Sequence, residues 1–235
     1  MKQLCIWTCA TALTAGTAFA APALSHDEVK RLSEAGTIVT ELRNAPDKGI
    51  PEELWSKAQC VAVIPSMKKA AFVVGGEYGS GVLSCRSQNG WSAPVFMQLA
   101  KGSWGLQIGG EETDLVLLVM NRRGLEKLLD DKVSLGADAS VAAGPVGRTG
   151  AAATDAQMSA EMLSYSRSQG AFAGIDLSGG VLRPDKDAIA RAYGPNVTAR
   201  EVVLGPQRIA APTEARPFER ALTSEARATT GRKPQ

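Results

Sequence analysis

The sequence predicts an α+β fold: a strongly bent antiparallel β-sheet or partly closed barrel, flanked by several helices, in a single domain. Three observations predict it. Apolar residues recur at helical spacing in only a few places, chiefly residues 26–44, 121–131 and 185–193. Between these, short runs of β-branched and aromatic residues follow one another without a helical pattern, as in an antiparallel sheet. Glycines at 75, 76, 79, 81, 102, 105, 109 and 110 punctuate the runs and predict bulges or strong coiling.

Residues 1–20 read as a secretory signal peptide, with Lys2 as a positive start, Leu4 to Thr17 apolar or small, and Ala18-Phe19-Ala20 as a small-x-small cleavage site. The expected location is periplasmic or secreted, with peripheral membrane association. No later run approaches the ~18 apolar residues of a spanning helix. Residues 21–204 then form the expected domain. Ser25 stands three before Glu28, a capping box that starts a helix over 26–44, with Val29, Leu32, Gly36, Val39 and Leu42 on one side. That amphipathic stripe packs on the body or lies on a membrane surface. Pro51 starts a second helix with Trp55 and Ala58 inward.

Val61 to Ile64 reads as a buried strand closed by Pro65. Strands follow at 71–76, 81–86, 92–99, 104–108 and 113–120, with Asn89-Gly90 as a hairpin turn. The GEYGSG run at 76–81 marks a turn or bulge. Asn121 to Asp131 is helical, and Val133 to Val146 holds a second strand group. Thr154 to Ser166 fits either helix or strand. Phe172 to Leu182 reads as a hairpin around Gly179-Gly180, and Asp185 to Tyr193 as a helix. Residues 205–235, rich in Ala, Pro, Arg and Thr, are expected to be a disordered basic tail dispensable for folding.

Charge and chemistry narrow the function. Residues 21–204 hold 19 Lys/Arg against 21 Asp/Glu, whereas 205–235 hold six against three. A slightly acidic body argues against nucleic acid as a partner, because a phosphate-binding face needs clustered positive charge. The single histidine, His26, and the two cysteines left after export, Cys60 and Cys85, give no metal-site spacing, so no metal or cofactor is expected. Those cysteines sit in strand-like runs and either pair as a disulfide or stay as buried thiols. Glu111, Glu112 and Asp114, and Asp130 with Asp131, read as solvated turns. Ser66-x-x-Lys69 matches an acyl-enzyme pattern but lacks the companion motifs of such enzymes. Lys68, Lys69, Arg122, Arg123, Arg148 and Arg167 recur near strand ends and turns, where they are placed to contact phosphate.

The motifs CVAVIP from Cys60, KAAFVVGG from Lys69, YGSGVL from Tyr78, GWSAP from Gly90, LGADASVAAGPVGR from Leu135 and YSRSQGAFAG from Tyr165 resemble the SYLF domain family. The resemblance covers most of residues 50–195 in the family's order. One departure is Leu177-Ser178-Gly179, where the family often carries an acid before glycine. The resemblance implies a non-enzymatic domain that binds phosphoinositides or other anionic lipids, and in yeast relatives actin filaments. For an exported bacterial protein it implies an anionic phospholipid such as phosphatidylglycerol, cardiolipin or phosphatidic acid. The headgroup would meet Lys68, Lys69, Arg148, Arg167, Arg122 and Arg123, and a nearby apolar groove or the leading helix would meet acyl chains. The alternatives are an envelope assembly protein with a protein partner, or a hydrolase built on Ser66 and Lys69.

Overall fold

The structure, a computed structural model, describes residues 23–45, 49–71, 74–87, 90–104, 111–146, 159–168 and 171–224. The expected signal peptide, Arg148, the strand at residues 105–108 and residues 225–235 lie outside them. In chain order the elements are α1 (His26–Arg43), α2 (Glu52–Lys57), β1 (Cys60–Ala71), β2 (Val74–Ser87), β3 (Gly90–Trp91), β4 (Val95–Trp104) and β5 (Glu111–Val119). There follow α3 (Arg122–Leu128), β6 (Val133–Ser134), β7 (Val141–Ala143), β8 (Met162–Ser168), β9 (Ala171–Gly174) and β10 (Gly180–Pro184). The chain ends in α4 (Lys186–Tyr193), α5 (Ala199–Leu204), a 3-10 turn (Thr213–Ala215) and α6 (Arg216–Thr223).

One sheet runs β6-β10-β4-β2-β1-β5-β8-β7, with β3 added beside β2 and β9 beside β8. Its two edge strands, β6 and β7, are consecutive in sequence and joined by residues 135–140, which carry an isolated bridge between Leu135 and Ala139. A six-residue connection spans about 20 Å at most, so the sheet has to curl to bring its edges that close. The result is a strongly curled half-barrel in an α+β domain, the expected fold class. One pair, β7 with β8, is parallel. Along the central strands nearly every side chain is buried: Val61 to Ile64 and Leu115 to Val119 are 0 % exposed. Strands covered on both faces lose the polar-apolar alternation, which is why they read as continuous apolar runs.

Four boundaries differ from expectation, each for a local reason. Pro65 does not close β1. The ladder to β5 shifts register between Ile64 and Met67, and a proline is accommodated at such a bulge. The strand expected at 71–76 instead straddles the hairpin, where Ala71 pairs with Gly75. The GEYGSG run is the interior of the 14-residue β2 rather than a turn. A Cβ at Gly81 would stand 2.0 Å from the Val63 carbonyl oxygen, so the bulged β1 leaves room only for glycine opposite it. Nor do residues 172–182 form a hairpin: β9 pairs with β8, while β10 crosses to β4 and β6. Met162 onward resolves the helix-or-strand ambiguity as β8.

The largest correction concerns residues 205–224, expected to be disordered. They fold back over the body, and Phe218, Ala215, Ala221 and Leu222 are buried. α6 packs on α1 and on β3. Phe218, Ala221 and Leu222 have helical spacing behind Pro217 at the helix start, a weak signal that a Pro- and Arg-rich composition obscured. The apolar stripe of α1 (Leu32, Ala35, Ile38, Val39, Leu42) faces α6, β1 and β2 and is buried. It packs on the body and is not available to acyl chains.

Candidate functional site

The β1 bulge positions the most exposed aromatic side chain among the described residues. Past the register shift, Lys68 lies directly opposite Tyr78 on β2. Directly opposed residues of an antiparallel pair project from one face, with Cβ atoms roughly 5 Å apart. Both point to solvent. Tyr78 is 48 % exposed, and besides Leu204 it is the only large apolar side chain exposed among the described residues. Its hydroxyl accepts a hydrogen bond from Ser80 Oγ at 3.3 Å. The pair borders a surface groove of about 310 Å³, walled by Ser66 and Gly79 on the sheet and by Asp27, Lys30, Arg31 and Glu34 on α1.

Charges in this groove are unequally committed. Arg31 reaches Asp185 at 3.0 Å, and Lys30 pairs with Glu34 at 3.7 Å. Lys68 forms no ion pair among the described residues. Ser66, the bulge residue, has φ 45°, a left-handed conformation that is strained for serine. Its N–H donates to Asp114 Oδ1 at 2.9 Å, which fixes the bulge. Asp114 also holds Arg167 through Nε at 3.1 Å, and a second carboxylate, Glu41, takes Arg167 Nη1.

Of the six basic residues expected to contact phosphate, Arg148 lies outside the described residues, and the other five fall toward two ends of the sheet. Lys68 and Arg167 lie toward the same end of the sheet: Lys68 pairs with Glu112 of β5, and Arg167 with Asp114. Lys69 occupies the next β1 position, opposite Glu77 and Glu111. Arg122 and Arg123 follow the other end of β5, nine residues away along the strand. Arg122 pairs with Glu126 at 2.8 Å and Arg123 with Glu161 at 3.0 Å. Glu161 is nearly buried. Desolvation works to raise its pKa but is outweighed by hydrogen bonds from Lys127 and the Ser140 N–H and by nearby Arg123, which hold it below the usual glutamate value. The carboxylates at 130 and 131 pair with Arg200 and Lys186. Among the described residues no group of three His, Cys, Asp or Glu could hold a metal ion, and no helix is long and apolar enough to cross a membrane.

Sequence reading missed Tyr78. Its position opposite Lys68 depends on where the β1–β2 hairpin turns, and the expected strand at 71–76 hid that turn.

The fold and groove define an α+β domain that presents a cation and an aromatic ring side by side on the outside of a curled sheet. Residues 100–225 match the family Ysc84, described as "Las17-binding protein actin regulator". The chain is 36 % identical over 203 residues to the SH3 domain-containing YSC84-like protein 1 of Xenopus laevis, covering 85 % of this chain and 59 % of that protein. It is 34 % identical over 184 residues to the LAS seventeen-binding protein 3 of Saccharomyces cerevisiae, covering 77 % and 39 %. An SH3 domain-containing protein of Schizosaccharomyces pombe is 35 % identical over 180 residues, covering 75 % and 41 %. The chain belongs to the Ysc84/SYLF family, as its motifs implied. It spans about 40–60 % of the length of these relatives.

Proposed function

We propose that this chain is a non-catalytic binding module for anionic phospholipids, docking on a membrane surface through the face that carries Lys68 and Tyr78. The observation that carries the reading is their cross-strand pairing: an exposed lysine that forms no ion pair among the described residues, beside a half-exposed tyrosine. A tyrosine places its ring at the apolar boundary and its hydroxyl in the wet layer, while a lysine reaches phosphate with its ammonium. Lys69 lies close by on the flanking β1 position and adds to the headgroup reading; Arg167 also lies near, with its guanidinium held by Asp114 and Glu41. An exported location, from the character of residues 1–20, is part of the same proposal.

Co-sedimentation with phosphatidylcholine vesicles, with and without phosphatidylglycerol, cardiolipin or phosphatidic acid, tests it. Binding to the anionic vesicles is expected to fall in Lys68→Gln and Tyr78→Ala and to weaken with salt, since exposed phosphate contacts are screened. Equal binding to neutral and anionic vesicles, or none, defeats the proposal.

A second reading, a protein-binding role, draws support from the yeast relatives named for binding Las17. Purified Las17 is the probe: saturable binding to it without vesicle binding would favour this reading over the first.

A further inference from the structure

The returning C-terminal segment builds a second positively charged feature. Phe218, Ala221 and Leu222 turn inward, which leaves Arg216 and Arg220 on the outer side of α6, four residues apart and both exposed. Like charges at that spacing repel, so the helix carries the pair at a cost. Arg220 Nε donates to the Arg216 carbonyl at 3.2 Å, which draws the two residues together. Opposite them stands the β2–β3 hairpin, and Arg208 joins the two sides by donating to the Trp91 carbonyl at 3.4 Å. The open cleft between them measures about 370 Å³ and is lined by Gly90, Trp91, Arg208, Arg216, Glu219 and Arg220, together with Thr223.

Most arginines elsewhere on the surface are paired with acids, Arg183, which bonds Gln98, being an exception. Arg31, Arg167, Arg191 and Arg200 each meet a carboxylate. Among the described residues neither Arg216 nor Arg220 forms an ion pair, although Glu219 lies between them in sequence. Arg86 stacks over the Trp91 ring, 4.5 Å from its centroid, and brings a further positive charge to the same corner. Its pKa is lowered by burial and then by neighbouring Arg43, with Glu52 working the other way. Among the described lining residues three guanidinium groups stand with one carboxylate, and planar guanidinium forks match phosphate oxygens.

We propose that this cleft binds a phosphate monoester dianion through Arg208, Arg216 and Arg220. A phosphatidic acid headgroup and a soluble phosphate ester share that chemistry. The membrane source rests on the phospholipid reading above, whereas the soluble source stands without it.

Two probes separate these cases: glycerol 3-phosphate followed by titration calorimetry, and phosphatidylcholine vesicles with and without phosphatidic acid. The test variant is Arg216→Gln/Arg220→Gln, and Lys57→Gln/Lys186→Gln matches its loss of charge elsewhere. Thermal unfolding verifies that both variants fold. Glycerol 3-phosphate affinity is expected to drop at least roughly tenfold in the arginine variant and to hold in the control, because each charge-assisted hydrogen bond exceeds that factor. Shifts of the Arg216 and Arg220 Nε–H signals in wild-type protein read the same contact without a substitution. Arginine-dependent ester binding without vesicle binding upholds the cleft with a soluble ligand and excludes phosphatidic acid as its membrane source. Vesicle binding that survives in the arginine variant, with no ester binding, overturns the cleft and leaves the phospholipid reading standing. Binding of neither probe overturns the cleft, while the phospholipid reading is decided by the phosphatidylglycerol and cardiolipin vesicles above.

Discussion

Gly36 of α1 and Pro217 of α6 meet backbone to backbone: a Cβ on Gly36 would stand 2.9 Å from the Pro217 carbonyl carbon and 3.0 Å from the Phe218 nitrogen. Glycine inside a helix ordinarily costs 0.5–1 kcal/mol relative to alanine, roughly, because the unfolded chain gains freedom. Here the missing Cβ is what lets the two helices close. Gly36→Ala is therefore expected to destabilise the protein by about 1–3 kcal/mol through overpacking. Urea unfolding checks this, and a stabilised variant would show that α6 does not lie on α1.

Removing everything after Leu204 tests the same contact from the other side. The truncated chain loses Phe218, which is 0 % exposed, together with Ala221 and Leu222, and uncovers the stripe of α1. A substantial fall in melting temperature is expected. Phe218→Ala alone should cost on the order of 3–5 kcal/mol, the usual range for emptying a buried aromatic site. An unchanged melting temperature on truncation would restore the picture of a dispensable tail.

Much of the fold was legible because its signals are local. The Ser25–Glu28 capping box fixes where α1 starts, Asn121 caps α3 through the Gly124 N–H, and Asn89-Gly90 joins two strands that do pair. What escaped depends on contacts distant in sequence. The glycines of β2 look like turn signals until the Ile64–Met67 bulge is laid against them. β9 and β10 look like two arms of a hairpin until β10 finds its partner in β4, some eighty residues earlier. Residue type alone groups the basic residues, whereas the ladder shows that β5 keeps Arg122 and Arg123 apart from Lys68 and Arg167. Likewise the arginines of the C-terminal segment gather only once Phe218 is anchored.

Acidification should weaken the link between α3 and the start of β8. Glu161 has its pKa held below the usual glutamate value, so the folded state binds its proton less readily than the unfolded chain. Its stabilising contribution is then present above the ordinary glutamate range of about 4.3 and is lost as pH falls through the lower folded value. Glu161→Gln is expected to lower stability at pH 7 and to flatten the decline between roughly pH 5 and pH 3. A variant whose stability falls as steeply as wild type over that window would exclude Glu161 as the group responsible.

Cys60 and Cys85 occupy opposed positions of β1 and β2, with their sulfurs within bonding distance and their Cα atoms 3.9 Å apart. The bridge spans 25 residues, a loop for which chain-entropy arguments give about 3–4 kcal/mol. Thiol titration of unfolded, non-reduced protein is expected to find no reactive thiol from this pair, and Cys60→Ala/Cys85→Ala should lower the urea midpoint. Two reactive thiols from this pair would mean that the sulfurs are in contact but not joined.

The strained bulge and the salt bridge beside it share one acid. Asp114 accepts the Ser66 N–H with Oδ1 and Arg167 Nε with Oδ2, so its removal strands two donors at once. Asp114→Ala should cost about 1–3 kcal/mol. Ser66→Gly relieves the left-handed strain at φ 45° and is expected to be neutral or to stabilise by up to about 1 kcal/mol. If Asp114 works by holding the bulge in that conformation, the loss should be smaller in the Ser66→Gly background, since glycine adopts it unaided. A double-mutant cycle then returns a coupling of at least roughly 0.5 kcal/mol. Strict additivity would assign the whole effect of Asp114 to Arg167 and leave the bulge, and the Lys68–Tyr78 pairing built on it, standing without that acid.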